Sequence, residues 1–275
     1  MSGDDDSVKV RGRPLEEAEK EALHAQARKF NAEAQAAEDE NRREQEEHDI
    51  RIKSMGYQEE RDRFALASHR RAEDLELAQD RHHFTYWFTD PVSKSSVKGC
   101  VDNLNVWART AEASGERAHI TLVFDSPGGD VMSGMDLFDR ILAIRHTGHT
   151  VKTVALGHAA SMAGILLQAG APRVMGQQSF LLLHEVAFGA IGKIGEVEDT
   201  VTLGRKMMLR VLGVFATRAA DALIARKERS GKTRDQVIAE RKRYIGAHWK
   251  RKDWWLDSEE AYKAGLVDEL LTPGL

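Results

Sequence analysis

The residues best suited to chemistry are a serine, a histidine and an aspartate spread across the second half of the chain. Ser161 sits in "GHAASMAG" (157–164), between the strand-like run "VKTVAL" and the helix-like run "ILLQAGA". A small hydroxyl at such a junction reads two ways. It lets a helix pack closely, or it is a nucleophile held where a helix begins, beside unpaired N–H groups and the positive end of the dipole. Ala159, Ala160 and Ala163 leave room there for a substrate backbone. A serine hydroxyl is a weak nucleophile until a base takes its proton. An unperturbed imidazole, titrating near about pH 6.5, does that at neutral pH, and His184 ends the apolar run "FLLLH" one strand beyond Ser161. A third group must orient the imidazole, and the chain has 44 Asp and Glu to choose from. Asp253 in "WKRKDWWLDS" is distinguished by Trp254 and Trp255, which can shield it from water; Asp257 is close by, equally acidic, and a natural helix cap.

The turn "DSPGGD" (125–130) completes the set. Adjacent glycines let backbone N–H groups point into space that a Cβ would block, and such groups near a helix start bind anions. The plainer alternative is an ordinary strand-to-helix turn with Ser126 and Asp130 near the cap.

These residues need a scaffold, and the hydrophobic patterning supplies an alternating one. "HHFTYWF" reads as a strand ended by Pro91. The following segment has helical spacing at Val97, Val101, Leu104 and Trp107. "AHITLVFD" is a second strand, and residues 131–146 form a helix with apolar positions Met135, Phe138, Leu142 and Ile144. "VKTVAL" and "SFLLLHEV" are further strands, with the Ser161 helix between them. Strands alternating with helices indicate an α/β domain with largely parallel strands. Beyond Gly195 the chain reads helical for a long way, followed by a shorter helix in "KTRDQVIAERKRYIG". A last short helix, "DSEEAYKAG", is capped by Asp257 or Ser258 and ended by Gly265.

Composition sets residues 1–80 apart. They carry 14 Lys/Arg against 22 Asp/Glu, and are mostly good helix formers from Leu15 to Asp49 and again after Gly56, from Tyr57 to Asp80. Their apolar residues are too sparse for a sustained heptad seam. The segment is either a pair of solvated helices or partly disordered arm, or an arm that docks on a neighbouring subunit or partner. We take 1–80 as this arm and 81–275 as the α/β domain. The net charge of −4 argues against a general nucleic-acid binder. The single cysteine, Cys100, rules out an internal disulfide and makes a cysteine-based zinc site implausible. No secretory signal or membrane span is expected, and a cytoplasmic protein without metal or cofactor is the expectation.

In this order, "SPGG" (126–129), "GHAASMA" (157–163), "LLLH" (181–184) and "KDWWLDSEEAYKAGLVDE" (252–269) resemble the motifs of the ClpP family of serine peptidases, over about residues 83–272. The resemblance implies Ser161 as nucleophile, His184 as general base and Asp253 as its orienting partner, with the backbone N–H groups of Gly129 and Met162 as oxyanion donors. Such donors are worth about 2.7–4 kcal/mol each. Ser126 would then be structural. It also implies a ClpP/crotonase-like spiral of ββα units, a handle in "FGAIGKIGEVEDTVTLGRKMM", a polypeptide substrate, and assembly into a homo-oligomeric ring, heptameric or doubled. Three features depart from ordinary ClpP subunits: Glu185-Val186 stands where they have Gln-Pro, the His184-to-Asp253 spacing is longer, and the N-terminal arm is unlike their short loops. In these the chain resembles the ClpP-like head-maturation proteases of tailed bacteriophages, which act on scaffold and capsid proteins in the host cytoplasm. The alternatives are a bacterial ClpP paralogue working with an ATP-dependent unfoldase, or a catalytically silent scaffold subunit. A crotonase-type acyl-CoA enzyme has no need of this Ser/His pair, and a membrane signal peptidase would use lysine in place of His184.

Overall fold

The computed structural model of the chain describes residues 13–250 and 252–271. The chain divides into a unit ending at Glu76 and one beginning at Leu77. The first is dominated by a single helix, α1 (Arg13–Leu77), of 65 residues. Composition suggested a break at Gly56, but the helix runs through it. One helical glycine costs only about 1 kcal/mol relative to alanine, and strong helix formers on both sides outweigh that. Leu23, Phe30, Ile50, Tyr57, Phe64 and Leu75 along α1 are all exposed.

In the second unit, a 3-10 turn at Asp80–His83 replaces the start of the expected first strand. Then follow β1 (Thr85–Phe88), α2 (Lys94–Ala113), β2 (His119–Ser126), α3 (Val131–His146), β3 (Thr150–Ala160) and α4 (Met162–Leu167). After them come β4 (Arg173–Gly176), β5 (Phe180–Leu183), α5 (Ile194–Ala225), α6 (Arg234–Trp249), β6 (Trp254–Leu256), α7 (Ser258–Ala264) and β7 (Glu269–Leu271). The sheet order is β1-β2-β3-β4-β7, with β5 paired to β3 and β6 paired to β5. Every pairing is parallel except β5–β6. This is a mixed α/β fold on a largely parallel sheet, as the alternating pattern required.

The core forms where helices lie on the sheet. Val97, Val101, Leu104 and Trp107 of α2 are buried, on the spacing that marked them. On α3 the buried face is Gly134, Leu137, Phe138 and Ile141, with Met135, Leu142 and Ile144 packed at its margin. Gly134 faces the core because the Met162 side chain fills the space a Cβ would need. At the far side Arg173, 1% exposed, is held by the Asp268 carboxylate at 2.6 Å.

One irregularity organises the rest. The first half of β3 pairs with β4 (Thr153–Ala155 beside Arg173–Met175), and its last residues pair with β5 (His158–Ala160 beside Phe180–Leu182). Between these registers the β2–β3 ladder skips, from Phe124↔Ala155 to Ser126↔Ala159. β3 thus forks the sheet, carrying its end away with β5 and β6. Ser161 directly follows β3, and His184 directly follows β5.

Candidate active site

Ser161 is the N-cap of α4 and holds φ 54°, ψ −119°, a strained conformation for a residue with a Cβ, costing about 1–3 kcal/mol. Its N–H donates to the Leu182 carbonyl at 2.9 Å, tying it to β5, and its carbonyl accepts from Ile165 N–H at 3.3 Å. Its hydroxyl does not cap the helix. Helix capping therefore does not account for a serine on this strained corner. All of α4 behind it is buried, so the corner is held rigidly.

The "SPGG" turn packs directly on this corner. A Cβ on Gly128 (φ +85°) would strike the Ala160 carbonyl and lie 2.7 Å from Ser161 Cβ and 2.8 Å from Met162 N. Val92 N–H donates to the Gly128 carbonyl and Asp130 N–H donates to the Val92 carbonyl, each at 2.8 Å. In such a parallel bridge the intervening Gly129 N–H turns to the opposite side. Gly129 there lines one cleft with Ser161, Met162 and His184. Met162 opens α4, so its N–H is among those a helix leaves unpaired. Ser126 is fully buried, donates its hydroxyl to the Asp90 carbonyl at 2.7 Å and accepts from Gly128 N–H at 3.3 Å. It holds the turn, as expected.

The cleft, about 150 Å³, is walled by Val131, Ile165, Leu183, Val186, Val211 and Phe215. A second one, about 260 Å³, continues from it along Val186, Ala187 and Phe188 to α5. The His184 imidazole shares the first cleft with Ser161. Its Nδ1 lies 2.6 Å from the Glu185 carbonyl. A carbonyl only accepts, so Nδ1 carries the proton and Nε2 of the neutral ring is free to take one. No hydrogen bond joins the ring to Ser161 or to Asp253 among the described residues.

Asp253 precedes β6, and the β5–β6 register ends at Leu183↔Trp254, so the next step along both strands brings Asp253 opposite His184. The residue is exposed, and its carboxylate is hydrogen-bonded to no described residue. Trp254 stacks on His248 of α6, 4.7 Å between ring centroids, and Trp255 is half exposed; with Asp253 itself exposed, the expected shield from water is absent. Asp257, the rival, is committed to capping α7, accepting from Glu260 N–H at 2.8 Å. Asp130 is likewise committed to Ser133 N–H at 2.7 Å. Hydrogen bonds from the Ser133 hydroxyl and from the Ser133 and Met132 N–H groups hold its carboxyl below the usual range, against a smaller opposing effect of burial. Burial pushes the Cys100 thiol up, leaving it inert. Among the described residues no group of acidic, histidine and cysteine side chains is arranged to hold a metal ion, and no helix is long and apolar enough to cross a membrane.

These site residues were marked in the sequence, whereas Asp125, the first residue of the turn, was assigned no role there. Its Oδ1 receives both His158 N–H at 3.1 Å and His158 Nδ1 at 2.7 Å. The signal available was a second acid–histidine pair, inside the two motifs already singled out.

The site therefore lies where a largely parallel α/β sheet forks, with a strained serine corner and a histidine in one apolar cleft. A family model described as Clp protease matches residues 85–274, and the chain belongs to that family. Similar curated proteins include the ATP-dependent Clp protease proteolytic subunit of Bacteroides fragilis, 30% identical over 154 residues covering 55% of this chain and 63% of that protein. Its counterpart in Bacteroides thetaiotaomicron is 29% identical over 154 residues, covering 55% and 60%. The chain thus spans about three-fifths of the length of the curated relatives it matches.

Proposed function

We propose that the protein is a serine endopeptidase in which Ser161, His184 and Asp253 act as a triad. The observation that carries this is the strained Ser161 corner, packed against Gly128 and sharing an apolar cleft with His184. His184 Nε2 takes the Ser161 hydroxyl proton as Oγ attacks the peptide carbonyl. The Gly129 and Met162 N–H groups bind the oxyanion, and His184 then protonates the departing amine. Water repeats the cycle on the acyl-enzyme. Asp253, uncommitted beside the end of β5, takes the His184 Nδ1–H over from the Glu185 carbonyl when the triad aligns and stabilises the imidazolium. The apolar walls suit an apolar side chain of a polypeptide substrate, and a homo-oligomeric ring is part of the proposal.

The role we favour is maturation of a scaffold or capsid protein, since α1 offers a long exposed surface for such a partner. The second reading, a proteolytic subunit serving an ATP-dependent unfoldase, is favoured by the names of the Bacteroides relatives. Hydrolysis of a short peptide by the wild-type protein, absent in Ser161→Ala and His184→Ala, tests the peptidase; equal turnover in all three refutes it. Removing residues 1–76 should then abolish cleavage of the partner protein while sparing the peptide. Equal loss of both contradicts the docking role, and a strict need for an ATP-driven unfoldase supports the second reading.

A further inference from the structure

The β2–β3 ladder fails at one place, and the groups that fill the gap are Asp125 and His158. Leu156, Gly157 and His158 lie on β3 between the residues paired to Phe124 and Ser126, while β2 offers only Asp125. Gly157, at φ +75°, folds the bulge beneath that carboxylate, so closely that a Cβ would lie 2.5 Å from Asp125 Oδ1. Oδ1 accepts the His158 N–H at 3.1 Å and the Nδ1–H at 2.7 Å. Both side chains are more than a third exposed. A side-chain tie this exposed contributes little to stability, so its consequence lies in where it sits.

From Asp125 the chain passes to Ser126, whose hydroxyl anchors the turn, and then to Gly129. From His158 it passes through Ala159 and Ala160 to Ser161. The pair therefore ties the two strands just before one delivers an oxyanion donor and the other the nucleophile. We infer that Asp125 and His158 are positioning residues, setting the bulge that fixes Ser161 Oγ against the Gly129 amide. This rests on the peptidase reading of the site. Such a tie acts on the geometry of the transition state while leaving the apolar substrate cleft unchanged.

Three variants of the full-length protein separate the parts. Asp125→Ala removes both hydrogen bonds, His158→Ala only the imidazole one, and Asp125→Asn keeps an oxygen acceptor without the charge. On a short peptide, Asp125→Ala should lower kcat about 10- to 100-fold with KM within about twofold of wild type. The loss in His158→Ala should be smaller, and Asp125→Asn should recover most of the activity. Each is assayed well below its own Tm; should Asp125→Ala fail to fold, His158→Ala against Asp125→Asn decides. Wild-type kcat in Asp125→Ala or His158→Ala overturns the inference, as does KM rising in step with the fall in kcat, or Asn behaving no better than Ala. A wild-type protein without Ser161-dependent turnover instead overturns the peptidase reading on which the inference rests.

Discussion

Alanine at Gly128 should damage the site out of proportion to its size. Two costs are readable from the structure. The position holds φ +85°, where an L-residue costs about 1–2 kcal/mol. The added Cβ would also sit 2.7 Å from Ser161 Cβ and 2.8 Å from Met162 N, against ordinary contacts of about 3.5–4 Å. Relieving that crowding moves the turn or the serine corner by about 1 Å, and overpacking of this kind costs about 1–3 kcal/mol. The expected loss of stability is about 2–5 kcal/mol, read from urea unfolding. A displacement of about 1 Å between nucleophile and donors also costs about 100-fold in rate, read from peptide turnover at a temperature where the variant is folded. Gly115→Ala is the control: its φ is +72°, but nothing lies within 4 Å of the added methyl group. It should lose about 1–2 kcal/mol and keep its activity. If Gly128→Ala hydrolyses peptide as fast as Gly115→Ala, the packing of the turn on Ser161 does not position the catalytic groups.

Asp253→Asn should lower kcat by up to about 10⁴-fold, as loss of the acid does in other triads. Asp257→Asn should leave it near wild type, because asparagine caps helices as well as aspartate; equal effects would reassign the acid. Asp268→Ala leaves the buried Arg173 guanidinium unpaired and should cost about 3–5 kcal/mol in denaturant unfolding. Burial pushes the Asp268 carboxyl up, but the hydrogen bonds and charge of Arg173 outweigh it and hold it below the usual range. Its contribution is therefore present at neutral pH and lost as pH falls from about 4 through the depressed value, so acid should narrow the gap between wild type and Asp268→Ala. Gly56→Ala, with open space around it, should stabilise α1 by about 1 kcal/mol, seen as higher helicity on heating with peptide turnover unchanged.

The helices and longer strands were legible because each has a face to bury over several residues. The α2 spacing Val97–Val101–Leu104–Trp107 is such a case, and so is the cap-to-Gly frame of α7. Three short strands were not, although β1 and β5, four residues each, were marked by their aromatic and leucine runs. β4, β6 and β7 have four residues or fewer, too few for alternation to show, and they exist because neighbours already in place offer them ladder partners. The fork in β3 was invisible for a similar reason: "VKTVAL" runs one residue past the first pairing, which ends at Ala155, and the second half, Gly157–Ala160, is made of residues with weak strand preference that β5 recruits. Gly56 failed as a helix boundary because a single unfavourable residue does not outweigh the turns around it. At the site, Ser161, His184 and the glycine turn were legible as types at a junction. The Glu185 carbonyl as partner of His184 Nδ1 depends on a backbone direction that no residue type encodes.

The central claim is that Ser161 is an activated nucleophile. The most direct test is intact-mass analysis after treatment with a fluorophosphonate probe, on wild type, Ser161→Ala and Ser126→Ala, each as monomer and as assembled oligomer. One adduct is expected on wild type and on Ser126→Ala, and none on Ser161→Ala. An adduct that persists in Ser161→Ala, or none on any form in either state, contradicts that claim.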